Sequence, residues 1–288
     1  MTEIQENKRT VRFEASDGYQ ITGTFYDAET PKAAVLISGG AAIPQRFYRH
    51  IADYLTRRGL AVLTYDYRGI GESAPKDLRN FDAPMHIWGT HDQAAAIAWL
   101  DRQYPDLDML HLAHSYGGQA LGMTERSQRF RRSVMIASQS GYWRRFIAPE
   151  RYRVFLAMNL FAPVVASFKG YLPGNLSGFG EDMAWSTFKQ WAYWCRQKNY
   201  LFDDPRIDTS NYGNLAIPIL SVGIDDDDWA PPNAIDALVS NYTGAAVERR
   251  QIAPRDAGVP KIGHFGFFRP ELEEALWGET IDWLVQDL

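Results

Sequence analysis

The chain has 288 residues, of which 45% are hydrophobic, 23% charged and 14% aromatic, the balance of an ordinary globular protein. Its formal net charge of −5 lacks the basic footprint that nucleic-acid binding needs, so no such partner is expected. The single cysteine, Cys195, excludes an internal disulfide and a cysteine-based zinc site, and no window has the run of roughly 18 apolar residues that marks a membrane span.

The opening "MTEIQENKRTVRFEA" is polar and lacks the apolar centre of a signal peptide, so a cytoplasmic location is expected. "VRFEASDGYQITGTFYD" alternates on both sides of Ser16-Asp17-Gly18 and predicts a hairpin. "AAVLIS" (Ala33–Ser38) is continuously apolar, as in a strand covered on both faces. Gln45–Arg58 reads as an amphipathic helix ending at Gly59, and "LAVLTYDY" as a second buried strand closed by the turn "RGIGES". Thr90–Gln103 has helical spacing through Ala94, Ile97, Ala98 and Leu100; the strand "MLHLAH", a helix from about Tyr116 and the strand "RSVMIAS" follow.

Strand and helix thus alternate from Ala33 to Ser138, which implies an α/β fold with a mostly parallel central sheet and helices on both faces. The rhythm breaks at Gly141. Residues 141–210 are rich in Trp, Tyr, Phe, Arg and Pro without a clear strand, and are expected to form a helical cap insertion. The rhythm returns with "IPILSVG", the helix Pro232–Val239, "AVERRQIA" and a last helix over Glu271–Val285. The core is therefore expected over 1–140 and 211–288.

Sites in open α/β sheets lie beyond the carboxyl ends of the strands. There, Ser115 follows "MLHLAH" with Ala113 two residues before it and Gly117 two after, a variant of the G-x-S-x-G turn that holds a nucleophile on a sharp bend. A serine hydroxyl needs a base. Of six histidines, His264 in "KIGHFGFFRP" lies between the last strand and the last helix and is the expected base. His114 adjoins the serine, but successive side chains on an extended strand point to opposite sides. The imidazole needs a carboxylate to fix its tautomer, and "ILSVGIDDDDWAPP" supplies four. Asp226, three residues beyond Gly223, is the expected acid, with Asp227 second. The backbone N–H of Tyr116 and that of Ala41 in "SGGAAIPQRF", with Ala42 next, are the expected oxyanion donors. One or two of Trp143, Trp185, Trp191 and Trp194 are candidates to line the substrate pocket, the others to form the cap's own core.

With Ser115, the acid and His264 in that chain order, the sequence resembles the α/β-hydrolase superfamily over nearly its whole length. "YDYRGIGES" is similar to a D-x-R-G-x-G-x-S turn common in its members. "PQRFYRHIADYLTRRG", "HSYGGQALG", "DDDDWAPP" and "GHFGFF" narrow the resemblance to a bacterial group of predicted α/β-hydrolases labelled serine aminopeptidase-like. The departures are Ala113 where glycine is usual and Gly39-Gly40 where many members carry His-Gly. The resemblance implies a cofactor-independent serine hydrolase acting on a small acyl substrate, with neither cofactor nor metal. A peptidase, thioesterase or acyltransferase shares the same apparatus, and a non-catalytic ligand-binding protein shares the fold.

Overall fold

The computed structural model describes residues 7–177 and 180–288. The hairpin forms as β1 (Lys8–Glu14) and β2 (Gln20–Tyr26), paired antiparallel with Glu14 opposite Gln20 across the predicted turn. β3 (Ala33–Ser38), β4 (Leu60–Tyr65) and β5 (Met109–His114) are buried along their whole length. β6 (Phe130–Ile136), β9 (Pro218–Ile224) and β10 (Ala246–Ile252) extend the sheet, with β7 (Tyr171–Leu172) and β8 (Met183–Ala184) lying apart from it. The strand order is β1-β2-β4-β3-β5-β6-β9-β10. β1 pairs with β2 and β2 with β4 antiparallel, and every pair from β4 to β10 is parallel.

The burial follows from this order. Central parallel strands covered on both faces read as unbroken apolar runs. At the outer edge, β10 is half exposed and carries Glu248, Arg249 and Arg250, charges that discourage further strand pairing. The helices are α1 (Arg49–Arg57), α2 (Ala94–Gln103), α3 (Tyr116–Ala120), α4 (Glu150–Leu156), α5 (Ala162–Lys169), α6 (Gly174–Ser177), α7 (Trp185–Arg196), α8 (Ser210–Asn214), α9 (Pro232–Val239), α10 (Gly263–Gly266) and α11 (Gly278–Leu284). α1 turns Ile51, Ala52 and Leu55 onto the sheet, and Trp277 ahead of α11 is fully buried. No helix among the described residues is long and apolar enough to cross a membrane.

Two details differ from the sequence reading. The stretch between β6 and β9 is mostly helical but also holds the two-residue ribbon β7–β8, too short to leave an alternating pattern. The predicted helix at Thr90 begins instead with a wide π turn at Trp88–Gln93 and becomes α-helical only at Ala94. Asp92 in that turn pairs with Arg68, and Asp66 accepts from the backbone N–H groups of Gln45 and Glu72. The "YDYRGIGES" turn is thereby tied to its surroundings through buried carboxylates.

Candidate active site

Ser115 stands where β5 gives way to α3, with φ 49° and ψ −110°. A non-glycine residue there is strained by about 1–3 kcal/mol, and the strain persists only because packing fixes the turn. Its own N–H is anchored on the Ile136 carbonyl of β6 at 2.9 Å. A Cβ added at Gly117 would lie 2.1 Å from the Ser38 carbonyl oxygen of β3. Glycine is required there because the start of α3 rests directly on a neighbouring backbone. Ala113 is fully buried between Ser38 of β3 and Met135 of β6, so its methyl group has a place in the sheet.

The bend turns the hydroxyl toward His264. His264 Nε2 lies 3.0 Å from Ser115 Oγ, and His264 Nδ1 lies 2.7 Å from Asp227 Oδ2. A carboxylate only accepts, so Nδ1 carries the proton and Nε2 is left to accept from the serine hydroxyl. The second Asp227 oxygen accepts from the N–H groups of Trp229 at 2.9 Å and Ala230 at 3.1 Å. Burial opposes the charge on Asp227, but the adjacent imidazole and these donors outweigh it and hold the carboxyl below its ordinary pKa.

The expectation for the acid is corrected on geometry: Asp227, not Asp226, meets the imidazole. Asp226 does not face the imidazole. Its two oxygens accept from the N–H groups of Ile262 at 3.0 Å and Gly263 at 2.9 Å, which pins the segment that carries His264. β9 runs to Ile224 rather than ending at Gly223, and the turn after it, closed by Asp227 N–H on the Ile224 carbonyl, aims the third aspartate inward. Asp225 and Asp228 are exposed.

Ser115 and His264 line a cavity of about 30 Å³, together with Ala41, Tyr116 and the aromatic side chains Phe146, Trp191, Tyr200 and Trp229. Ala41 and Tyr116, the expected oxyanion donors, thus share a cavity with the serine. Gly40 cannot serve instead, because its N–H already donates to Tyr48 Oη at 2.8 Å. Of the tryptophans singled out in the sequence, Trp191 reaches this cavity, whereas Trp194 is buried with its Nε1 donating to Asp204. Cys195 beside it is buried as expected, and burial pushes its thiol pKa up.

Sequence reasoning missed His114 and Tyr48. His114 lines the same cavity as Ser115 and is bonded to neither the serine nor the aspartates: Nε2 lies 2.9 Å from the His264 carbonyl oxygen and Nδ1 lies 2.9 Å from Tyr48 Oη. Burial, reinforced by the neighbouring His264, lowers its pKa to about 3, so it is neutral. The only signal in the sequence is the tyrosine in "PQRFYRH", ten residues after the strand "AAVLIS".

The chain is similar over 110 residues, at 27% identity, to monoglyceride lipase of Rattus norvegicus; the match covers 38% of this chain and about a third (35%) of that protein's length. Among solved structures, a soluble variant of monoglyceride lipase from Saccharomyces cerevisiae, in complex with a substrate analog, superposes with a TM-score of 0.72 at 13% identity, covering 99% of this chain and 97% of that one. The Pyrococcus furiosus esterase Pf2001 superposes with a TM-score of 0.62 at 17% identity, covering 97% and 91%. These likenesses establish an α/β-hydrolase fold. The family model described as serine aminopeptidase, S33, matches residues 29–178, a span that includes Ser115. The chain belongs to this serine aminopeptidase, S33, family of α/β-hydrolases.

Proposed function

We propose that the protein is a serine hydrolase that cleaves a carboxylic ester or related acyl substrate through an acyl-enzyme intermediate. The observation that carries this reading is the continuous line Ser115 Oγ–His264 Nε2, His264 Nδ1–Asp227 Oδ2, with both hydrogen bonds at 3.0 Å or less. His264 takes the proton from Ser115 as its oxygen attacks the substrate carbonyl. Asp227 steadies the imidazolium that results, and Asp226 keeps the His264 segment in place. The backbone N–H groups of Tyr116 and Ala41 hold the oxyanion; one such donor is worth about 10²–10³ in rate. The leaving group departs with the proton from His264. Water, activated by the same imidazole, then releases the acyl group.

Residues 141–210 act as a cap over the site in this reading. Phe146, Trp191 and Tyr200 from that segment form part of the cavity wall, which favours an apolar acyl or leaving group. Relatives described as a monoglyceride lipase and an esterase incline the reading toward esters rather than amides.

A fluorophosphonate probe tests the assignment. The wild-type protein is expected to label and Ser115→Ala to remain unlabelled while staying folded; an unlabelled wild type overturns the proposal. In steady-state assays with a soluble ester, Asp227→Asn is expected to lower kcat by about 10⁴-fold, because the wrong histidine tautomer is then favoured. Asp226→Asn is expected to lose far less. The reverse order would return the acid to Asp226. A chain-length series of acyl esters beside aminoacyl arylamides separates esterase from peptidase.

A further inference from the structure

From Glu150 to Lys169 the chain runs as one helical rod, α4 and α5 joined by a π turn at Ala157–Phe161. It carries two apolar stripes. Val154, Met158, Ala162 and Ala166, spaced by four, are buried against the body of the protein. Tyr152, Leu156, Leu160, Val164 and Phe168, also spaced by four, face solvent. Phe161 and Phe168 are 61% and 86% exposed, too much to count as partial packing. Apart from Leu288, every exposed large apolar side chain among the described residues lies between positions 147 and 168. A helix on a globular surface normally turns polar residues outward, and a contiguous apolar patch signals a partner.

The charge around the patch selects the partner. Between Gly141 and Gly170 stand five cations, Arg144, Arg145, Arg151, Arg153 and Lys169, against the single carboxylate of Glu150, in a chain whose net charge is −5. Among the described residues only Arg153 of these five forms an ion pair, a 3.5 Å contact with Glu150. A second copy of the chain docking face to face would set like charges against each other. An apolar ridge flanked by cations instead matches a membrane interface with anionic headgroups, the apolar side chains sinking toward the acyl chains and the cations meeting the headgroups.

We propose that the Glu150–Lys169 rod is a docking face for an anionic lipid surface. Its inner side, through Val154, Ala157 and Met158, lines a cleft with Phe188 and Trp229, and Trp229 also lines the Ser115 cavity. Docking would therefore set the candidate active site beside the lipid, although binding itself does not depend on the hydrolase reading.

Co-sedimentation of the full chain with vesicles tests this, using phosphatidylcholine alone and an equal mixture of phosphatidylcholine and phosphatidylglycerol. Wild type and Ser115→Ala are both expected to bind the anionic vesicles roughly tenfold more tightly than the neutral ones, with release by salt. Phe161→Ser/Phe168→Ser is expected to weaken binding by about tenfold or more, with its thermal midpoint and fluorophosphonate labelling those of the wild type. Arg144→Glu/Lys169→Glu is expected to erase the preference for anionic vesicles. The proposal is overturned if wild type stays in the supernatant with anionic vesicles, or if the Phe161/Phe168 variant binds as wild type does. It is also overturned if light scattering shows a dimer that this variant dissolves, which would make the occupant a second copy.

Discussion

His114 and Tyr48 show how much of a site can rest on residues outside the Ser115–His264–Asp227 line. Tyr48 Oη accepts from the Gly40 N–H, so its own proton is directed to His114 Nδ1. His114 then holds its proton on Nε2 and donates it to the His264 carbonyl. The direction of each bond is fixed by its neighbour, and the neutral state of His114 by burial. The chain of bonds joins the Gly40–Ala41 loop to the backbone of His264, the two segments that the proposed mechanism needs to keep in register around a developing oxyanion. Tyr48→Phe leaves two buried polar groups, the Gly40 N–H and His114 Nδ1, unpaired at a cost of about 1–3 kcal/mol each. The expected result in ester hydrolysis is a kcat lowered by roughly tenfold with little change in KM, since a loosened oxyanion loop weakens the transition state more than the ground state. A loss confined to thermal stability, with kcat intact, would reduce the pair to structural support. None of this was legible in the sequence, because His114 meets partners 66 and 150 residues away. The aspartate run failed for a related reason: four identical side chains in a row carry the same chemistry, and only the turn geometry separates Asp227 from Asp226.

The strand–turn–helix element around Ser115 was legible because its demands are local. β5 must be apolar to lie between β3 and β6, and the turn must be small because β3 passes directly beside α3. Both constraints act within eight residues and leave a pattern in the chain. Gly117 carries the sharper constraint, since the Ser38 carbonyl that a Cβ would strike belongs to a sheet backbone that cannot swing aside. Gly117→Ala is expected to destabilise the fold by about 1–3 kcal/mol and, by displacing Ser115, to abolish fluorophosphonate labelling even where the protein remains folded. A thermal melt read beside the labelling rate checks this; full labelling would mean that the elbow tolerates a shift that the packing forbids. The α/β alternation was legible for the same reason as β5, through buried runs separated by glycine turns. The segment from Gly141 onward was not, because its short ribbon and its choice of Trp191 over Trp194 as cavity wall depend on contacts distant in sequence.

On the scale of the molecule, β5 places two titratable histidines in the middle of the sheet. His111 and His114 are both fully buried, and burial is the main cause that lowers each pKa from 6.5 to about 3. His111 remains neutral between Ser38 Oγ at 3.0 Å and Ser133 Oγ at 2.9 Å. In the unfolded chain both side chains take up protons as pH falls through about 6.5, whereas the folded chain resists protonation until about pH 3. The unfolded state therefore binds more protons throughout that window, so stability rises with pH. It is fully present above the unfolded pKa and is lost as pH falls toward the folded one. Each histidine should cost about 2 kcal/mol at about pH 5, relative to about pH 7.5. Urea unfolding at the two pH values is thus expected to show a loss of about 4 kcal/mol from this pair. His111→Gln should roughly halve the pH-dependent loss whatever it does to absolute stability, because the difference between pH values reports only the protons taken up on unfolding. A stability that is flat across the window would mean that one or both imidazoles are protonated inside the sheet. A protonated His114 could not accept from Tyr48; its Nδ1 would donate to Tyr48 Oη instead, while the Gly40 N–H and the His264 carbonyl kept their roles as donor and acceptor.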